Sequence, residues 1–340
     1  MITISLCMIV KNEEKILDRC LSTVADLVDE IVIVDTGSTD ATKKIAARYT
    51  DKIYDFQWID DFSAARNFAF SKATKEYIYS ADADEVLDEE NRERFRILKE
   101  NLLPEIEIVQ MKYGNQLCFG TVYNFDEEYR PKLFKRQREF VWEAPIHETV
   151  RLMPVVYDSD IVITHMPQGS HAKRDLQNFY KHCTNGYRLP KRLHDLYARE
   201  LMLAGDAEDF AQAAEIFMLS ACDVERDSEE VAQACCVVAK AARLQKDIVT
   251  FFKFVSKILA GEANSEICCE LGHFYEEIAD YEEAIIWYYN AVYETRPILK
   301  LQAGGSEGLE GLVRCYGALG IEEQECAYRG ELARWQSELR

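Results

Sequence analysis

The sequence predicts an α/β domain on a mostly parallel sheet, followed by an all-α domain of repeated helical hairpins. Three observations carry that expectation. Apolar, β-rich runs at Ile2–Val10, Glu30–Asp35 and Tyr77–Tyr79 alternate with helix-length segments over the first hundred residues, the pattern of a doubly wound sheet. From about Arg192 onward the chain is rich in Ala, Glu and Leu, with apolar residues at helical spacing. Helix–break–helix units recur there with starts at Leu196, Val231 and Ile267, near the period of about 34 residues that marks helical-hairpin repeats.

Taken in order, Ile2–Val10 is a strand broken by Lys11-Asn12-Glu13-Glu14, and Glu14–Leu27 carries Ile16, Leu17, Leu21, Val24 and Leu27 at helical spacing. Glu30–Asp35 is a second buried strand stopped by Thr36-Gly37. Ser38-Thr39-Asp40 then caps a helix through Ile45, Ala46 and Tyr49. Lys52-Ile53-Tyr54 reads as a short third strand and Phe62–Ala73 as a helix. The run Glu76–Leu87 follows, Tyr77-Ile78-Tyr79 being its strand. After Glu100 shorter strand-like runs appear at Glu107–Tyr113, Leu117–Tyr123, Tyr129–Phe134 and Asp160–Thr164, the last ending at His165. Mixed or antiparallel strands appended to the parallel half account for them. A basic helix from Ala172 to Leu189 leads out, giving domains at 1–170 and 192–340 joined by a linker helix at 171–191. The third repeat (Leu271-Gly272, Tyr275, Asp280-Tyr281, Ala284, Pro297) is near the tetratricopeptide pattern. A weaker fourth unit at Leu309–Leu332 caps the stack.

The totals exclude several functions. Net charge is −20, from 60 acids against 40 bases, so the chain is expected to repel nucleic acid and anionic lipid. Its eleven cysteines include the pairs Cys235-Cys236 and Cys268-Cys269 but no C-x-x-C. Buried free thiols in a reducing cytoplasm fit better than a disulfide framework or a zinc site. No segment has the eighteen or so apolar residues of a membrane helix, and the N-terminus lacks a signal peptide's basic start. A cytoplasmic protein without an integral membrane segment is expected.

The chemistry is expected where strands end, because open α/β sheets bind ligands beyond the carboxyl ends of their strands. Asn12, Asp35 and Asp82–Glu85 occupy those positions. Two carboxylates at i and i+2, Asp82 and Asp84, repel each other unless a cation lies between them. A hard divalent ion, Mn²⁺ or Mg²⁺, shared with a diphosphate is the chemical reading. An isolated Asp-x-Asp is more often an ordinary acidic turn or N-cap cluster, and the preceding strand is what shifts the reading.

Four motifs in order add a family. SLCMIVKNEE, EIVIVDTGSTDAT, WIDDFSAARNFAFSKA and ADADEVL, with PKLFKRQREFVWEAPIHETV and VITHMP downstream, resemble the family 2 glycosyltransferases. These are inverting enzymes of the GT-A fold that use nucleotide-activated sugars. The resemblance covers roughly 1–170 and is nearest a subgroup carrying tetratricopeptide-like helices after the transferase domain, which includes bacteriocin S-glycosyltransferases. It implies a nucleotide-sugar site, most simply for a UDP-sugar, from Val10, Asn12, Glu13, Asp35, Arg66, Ala81, Asp82 and Ala83. Asp35 would accept the uracil N3–H, a role compatible with capping the Gly37–Thr39 turn. Arg66 would meet the nucleotide or diphosphate, or else pair with Asp60 or Asp61. The resemblance assigns a metal to Asp84 and His165, with Asp82 as a further ligand. It puts the base that deprotonates the acceptor at Glu148, with His147 and Glu143 as alternatives, although no clear x-Glu-Asp triplet stands there. A peptide or protein acceptor, attacking through a Ser/Thr hydroxyl or a Cys thiol, would be presented by the repeats, which suit dimerisation equally well. The competing readings are a transferase acting on lipid-linked or surface glycans and a non-catalytic peptide-binding adaptor.

Overall fold

Every residue of β2 (Glu30–Asp35) is buried, and β1 (Ile4–Val10) is buried at all but one position, as expected of strands covered on both faces. The computed structural model describes residues 1–114, 128–137, 142–143, 145, 147, 149–150, 154–166 and 172–338. The chain divides into two units, Met1–Ser170 and His171–Arg340. In the first, α1 (Leu17–Val24), α2 (Thr42–Ala46), β3 (Ile53–Asp55), α3 (Phe62–Lys72), β4 (Tyr77–Ser80), β5 (Glu85–Val86) and α4 (Glu89–Asn101) follow β1 and β2. The later strands are β6 (Ile108–Gly114), β7 (Glu128–Lys135), β8 (Trp142–Glu143), β9 (Thr149–Val150) and β10 (Val156–His165).

One eight-stranded sheet runs β3-β2-β1-β4-β7-β6-β10-β5. The first four strands are mutually parallel, β7 is antiparallel to both β4 and β6, and β10 lies parallel to β6. Chain order reverses around β1, the topological position where α/β sheets open a crevice. Alternation along β1 supplies both cores: Leu6 and Met8 join Leu21, Ile33, Tyr79 and Phe95 on one face, and Cys7 joins Val32, Val34, Ala69 and Ile78 on the other.

Four features depart from the sequence reading. The first helix starts at Leu17, after a turn in which Glu13 C=O accepts from Ile16 and Leu17. Helix α4 is new; its surface is mostly charged and only Asn91 and Phe95 are buried, too thin an apolar stripe to read as a helix. Strand β5 and the β8–β9 ladder, two residues a strand, are also new. The expected strand Leu117–Tyr123 lies outside the described residues.

The second unit is all helical: α5 (Ala172–Thr184), then α6 (Lys191–Ala204) with α7 (Ala207–Ser220), and α8 (Ser228–Leu244) with α9 (Ile248–Leu259). Next come α10 (Ser265–Glu277) with α11 (Tyr281–Tyr289), and α12 (Ser306–Ala318) with α13 (Glu322–Glu338). The exit helix stops at Thr184, not Leu189, because Gly186 turns the chain at φ +87° and donates to Cys183 C=O. Helices α7, α8, α9, α10 and α11 start under the side chains of Asp206, Asp227, Asp247, Asn264 and Asp280, each accepting from a first-turn N–H. Between hairpins Tyr288 is fully buried, and a Cβ on Gly272 or Gly311 would stand 2.6 Å from its ring. Close approach is what those glycines provide. Among the described residues no helix is long and apolar enough to cross a membrane, and the described cysteines are all free.

Candidate functional site

Asp35 ends β2 fully buried. Its Oδ1 accepts from the backbone N–H of Gly37 (3.0 Å) and Ser38 (2.9 Å), the capping role expected of it. Its Oδ2 is buried with no hydrogen-bond partner among the described residues. At the end of β1, Val10 C=O accepts from Thr36 N–H at 3.0 Å. Asn12 takes the left-handed conformation, φ +57°, which asparagine tolerates. Its N–H donates to Ser38 Oγ (2.9 Å) and its Oδ1 accepts from Thr39 N–H (2.8 Å), while Glu13 N–H donates to Thr42 Oγ1 (2.7 Å). The ends of β1 and β2 therefore form one tied ledge.

Beyond β4, Ala81 and Ala83 are buried spacers that set Asp82 and Asp84 into the same edge. Arg66 on α3 donates to Asp82 Oδ1 (2.8 Å) and Ser80 Oγ (3.1 Å). Arg66 therefore meets the first acid of the Asp-x-Asp strand end, whereas Asp61 caps α3 through Ala64 N–H. Burial alone would raise the Asp82 carboxyl. The Arg66 guanidinium, with Lys132 and Arg130, outweighs it and holds the group well below the usual carboxylate range. Asp84 is 9% exposed, and its Oδ2 lies 3.0 Å from Nε2 of His165 at the end of β10. Its Oδ1 is buried without a partner among the described residues. From α1, Cys20 Sγ–H donates to Asp82 C=O (3.4 Å) and Arg19 to Met166 C=O (2.7 Å).

An orphan carboxylate oxygen beside an imidazole is a fitting donor set for Mn²⁺ or Mg²⁺. No group of three such side chains exists among the described residues.

Sequence reasoning missed a second layer. Strand β7 runs antiparallel, so its first residues lie beside the carboxyl end of β4. Lys132 is buried and paired with Glu85; Arg130 pairs with Glu128 and stacks 4.0 Å from the Tyr113 ring centre. Tyr113 in turn lies 5.1 Å from the His165 ring. Burial, then the charges of Asp82 and Asp84, push Glu85 up to about 7, against the pull of Lys132. Arg130 and Lys132 at i and i+2 on one strand face were the available signal.

Of the residues expected to deprotonate an acceptor, Glu143 is exposed on β8, and His147 is half-buried at φ +46°. Glu148, the first choice for the base, lies outside the described residues.

With that geometry in view, comparison with known proteins finds a family. Residues 5–147 match the family model described as Glycosyl transferase family 2. A TPR repeat-containing protein of Synechococcus elongatus is 35% identical over 152 residues, 44% of this chain and 36% of its own. The SPbeta prophage-derived glycosyltransferase SunS of Bacillus subtilis is 40% identical over 92 residues, 26% of this chain and 22% of its own. The lipopolysaccharide core biosynthesis glycosyltransferase LpsC of Rhizobium meliloti is 32% identical over 148 residues, covering 41% and 53%. The match thus spans about a third or less of the first two of these relatives. Glucosyl-3-phosphoglycerate synthase from Mycobacterium tuberculosis, solved with Mn²⁺ and UDP-glucose, aligns over 54% of this chain and 78% of its own at 13% identity, TM-score 0.38. That likeness is loose.

Proposed function

Because residues 5–147 form a family 2 glycosyltransferase domain on a GT-A-like mixed sheet, we propose that the protein moves a sugar, with inversion, from a UDP-sugar to a peptide or protein acceptor. One observation carries the donor half. Two strand-end carboxylates, Asp35 and Asp84, each keep one oxygen satisfied and the other buried without a partner among the described residues. An orphan of that kind costs about 1–3 kcal/mol and is explained where a ligand completes it. At Asp35 Oδ2 the completing group is the N3–H of a uracil ring, with the tied Asn12–Thr39 ledge beneath the nucleoside. At Asp84 and His165 it is a divalent ion, whose chemistry when bound is to offset charge on the departing diphosphate. Arg66 holds Asp82 ionised and presents its guanidinium at the same edge, oriented for phosphate oxygens. The acceptor proton passes to a carboxylate or imidazole of the Glu143–Glu148 segment as the acceptor atom attacks the anomeric carbon opposite the leaving group.

For the acceptor, the relationship to SunS and the hairpin repeats favour a polypeptide, attacking through a Ser/Thr hydroxyl or a Cys thiol. The relationship to LpsC favours the second reading, a glycan acceptor. The test is release of nucleoside diphosphate from UDP-, GDP- and dTDP-sugars with Mn²⁺ or Mg²⁺, repeated with EDTA. Chelator-sensitive release from a UDP-sugar is expected. No turnover and no calorimetric binding of any donor would overturn the reading.

A further inference from the structure

The WIDDFSAARNF motif has more in it than Arg66. Asn67, the next residue on α3, faces β8: its Nδ2 donates to Trp142 C=O (3.1 Å) and its Oδ1 accepts Trp142 N–H (2.8 Å). A side-chain amide that exchanges both bonds with one residue imitates a neighbouring strand. Asparagine and the longer glutamine carry donor and acceptor side by side on one planar amide, the spacing of a backbone peptide. On its other edge Trp142 pairs with Val150 of β9. The Trp142 ring is packed by Phe70 and Phe134, both 5.9 Å away, and Arg66 Cζ lies 4.7 Å from a Trp142 ring centre. Arg66 then reaches Asp82 and Ser80. Further along the same segment, Phe62 N–H donates to Pro145 C=O at 3.1 Å.

We propose that Asn67 and Trp142 are positioning residues: Asn67 fixes the main chain of Trp142, and the Trp142 ring holds the Arg66 guanidinium against Asp82. One helical turn thereby connects the donor strand end with the acceptor-side β8–β9 ladder. The physical content is preorganisation. An arginine carries several rotatable bonds, and a ring face 4.7 Å away restricts them by cation–π attraction. A guanidinium already aimed loses less freedom when it meets a phosphate. The proposal rests on the nucleotide-sugar reading only in its choice of ligand.

The test is Asn67→Asp in the full chain, which keeps the size of the side chain and turns its donor into a second acceptor facing Trp142 C=O. Asn67→Ser serves beside it, and thermal melting establishes that each is folded. Calorimetry with uridine diphosphate and Mn²⁺ is expected to give roughly tenfold weaker binding. In an Arg66→Ala background the same substitution is expected to change affinity less than twofold, since its effect passes through Arg66. Equal losses in both backgrounds, or wild-type affinity in folded Asn67→Asp, would overturn the assignment. If the wild type binds no uridine diphosphate, the donor reading has failed separately. The relay is then decided without ligand, by the Arg66 Nε–H resonance. Slow exchange in the wild type that is lost in Asn67→Asp supports it, and unchanged exchange rejects it.

Discussion

Asp84 stands with one oxygen against His165 and one orphaned, and that imbalance separates function from stability at a single residue. An amide in its place keeps the volume, removes a buried charge and weakens any cation held there. Asp84→Asn is therefore expected to lower donor turnover by about a hundredfold or more while leaving the melting temperature unchanged or raised. Diphosphate release and calorimetry read the two effects, and a variant that loses both together would assign Asp84 to the fold. The neighbouring acid behaves oppositely. Glu85 is paired with Lys132 where both side chains are under a tenth exposed. Lys132→Met strands that carboxylate and should cost about 3–5 kcal/mol in urea unfolding, with most of it recovered by adding Glu85→Gln. Additive losses would show that the two groups do not act as a pair.

At the scale of elements, legibility follows how locally each one is determined. The strands β1, β2 and β4 are buried on both faces, so their apolar runs announce them, and Asp35, Asp82 and Asp84 follow as strand-end residues. Helix α4 escaped because its arginines and glutamates pair across the surface and leave Phe95 nearly alone inside. Arg130 and Lys132 escaped for a non-local reason, the antiparallel register of β7 on β4, which no window of sequence contains. The hairpins were legible through their period and through a third-unit pattern that includes Gly272, whose meaning the fold supplies. Gly272→Ala would press a methyl into the Tyr288 ring and is expected to cost about 1–3 kcal/mol, read by chemical denaturation. Wild-type stability would mean the ring can yield. His194 on α6 is expected to give the hairpins a pH dependence. Its ring is buried. Burial, then Arg226, push it down to about 4, with Gln233, Glu230 and Asp195 offsetting part of that. Between an unfolded value of about 6.5 and that folded value, the unfolded chain takes up a proton that the folded chain refuses. Stability is full above this window and falls through it as pH drops. Wild type should lose about 2 kcal/mol more than His194→Leu between pH 7 and pH 5, and equal losses would exclude the histidine as the cause.

At the scale of the whole molecule the division into Met1–Ser170 and His171–Arg340 makes a separable claim about substrates. The first unit has its own cores on both faces of the sheet, and the second has cores around Tyr288 and around Cys268. Asp35, Arg66, Asp82, Asp84 and His165 all come from the first. If the repeats only present an acceptor, residues 1–170 alone should bind uridine diphosphate within about threefold of the full chain, a difference below 1 kcal/mol. They should also hydrolyse the donor slowly while losing transfer to a polypeptide. Adding 171–340 as a separate chain should then inhibit the full-length protein, because it competes for acceptor without carrying a donor. The two measurements are donor calorimetry on the fragment and transfer kinetics at rising fragment concentration. Undiminished transfer by 1–170 would place acceptor choice in the transferase domain and favour the glycan reading, in which the repeats serve association between copies. A folded 1–170 that fails to bind uridine diphosphate would place part of the donor site in the repeats, and the proposed division of labour would fall.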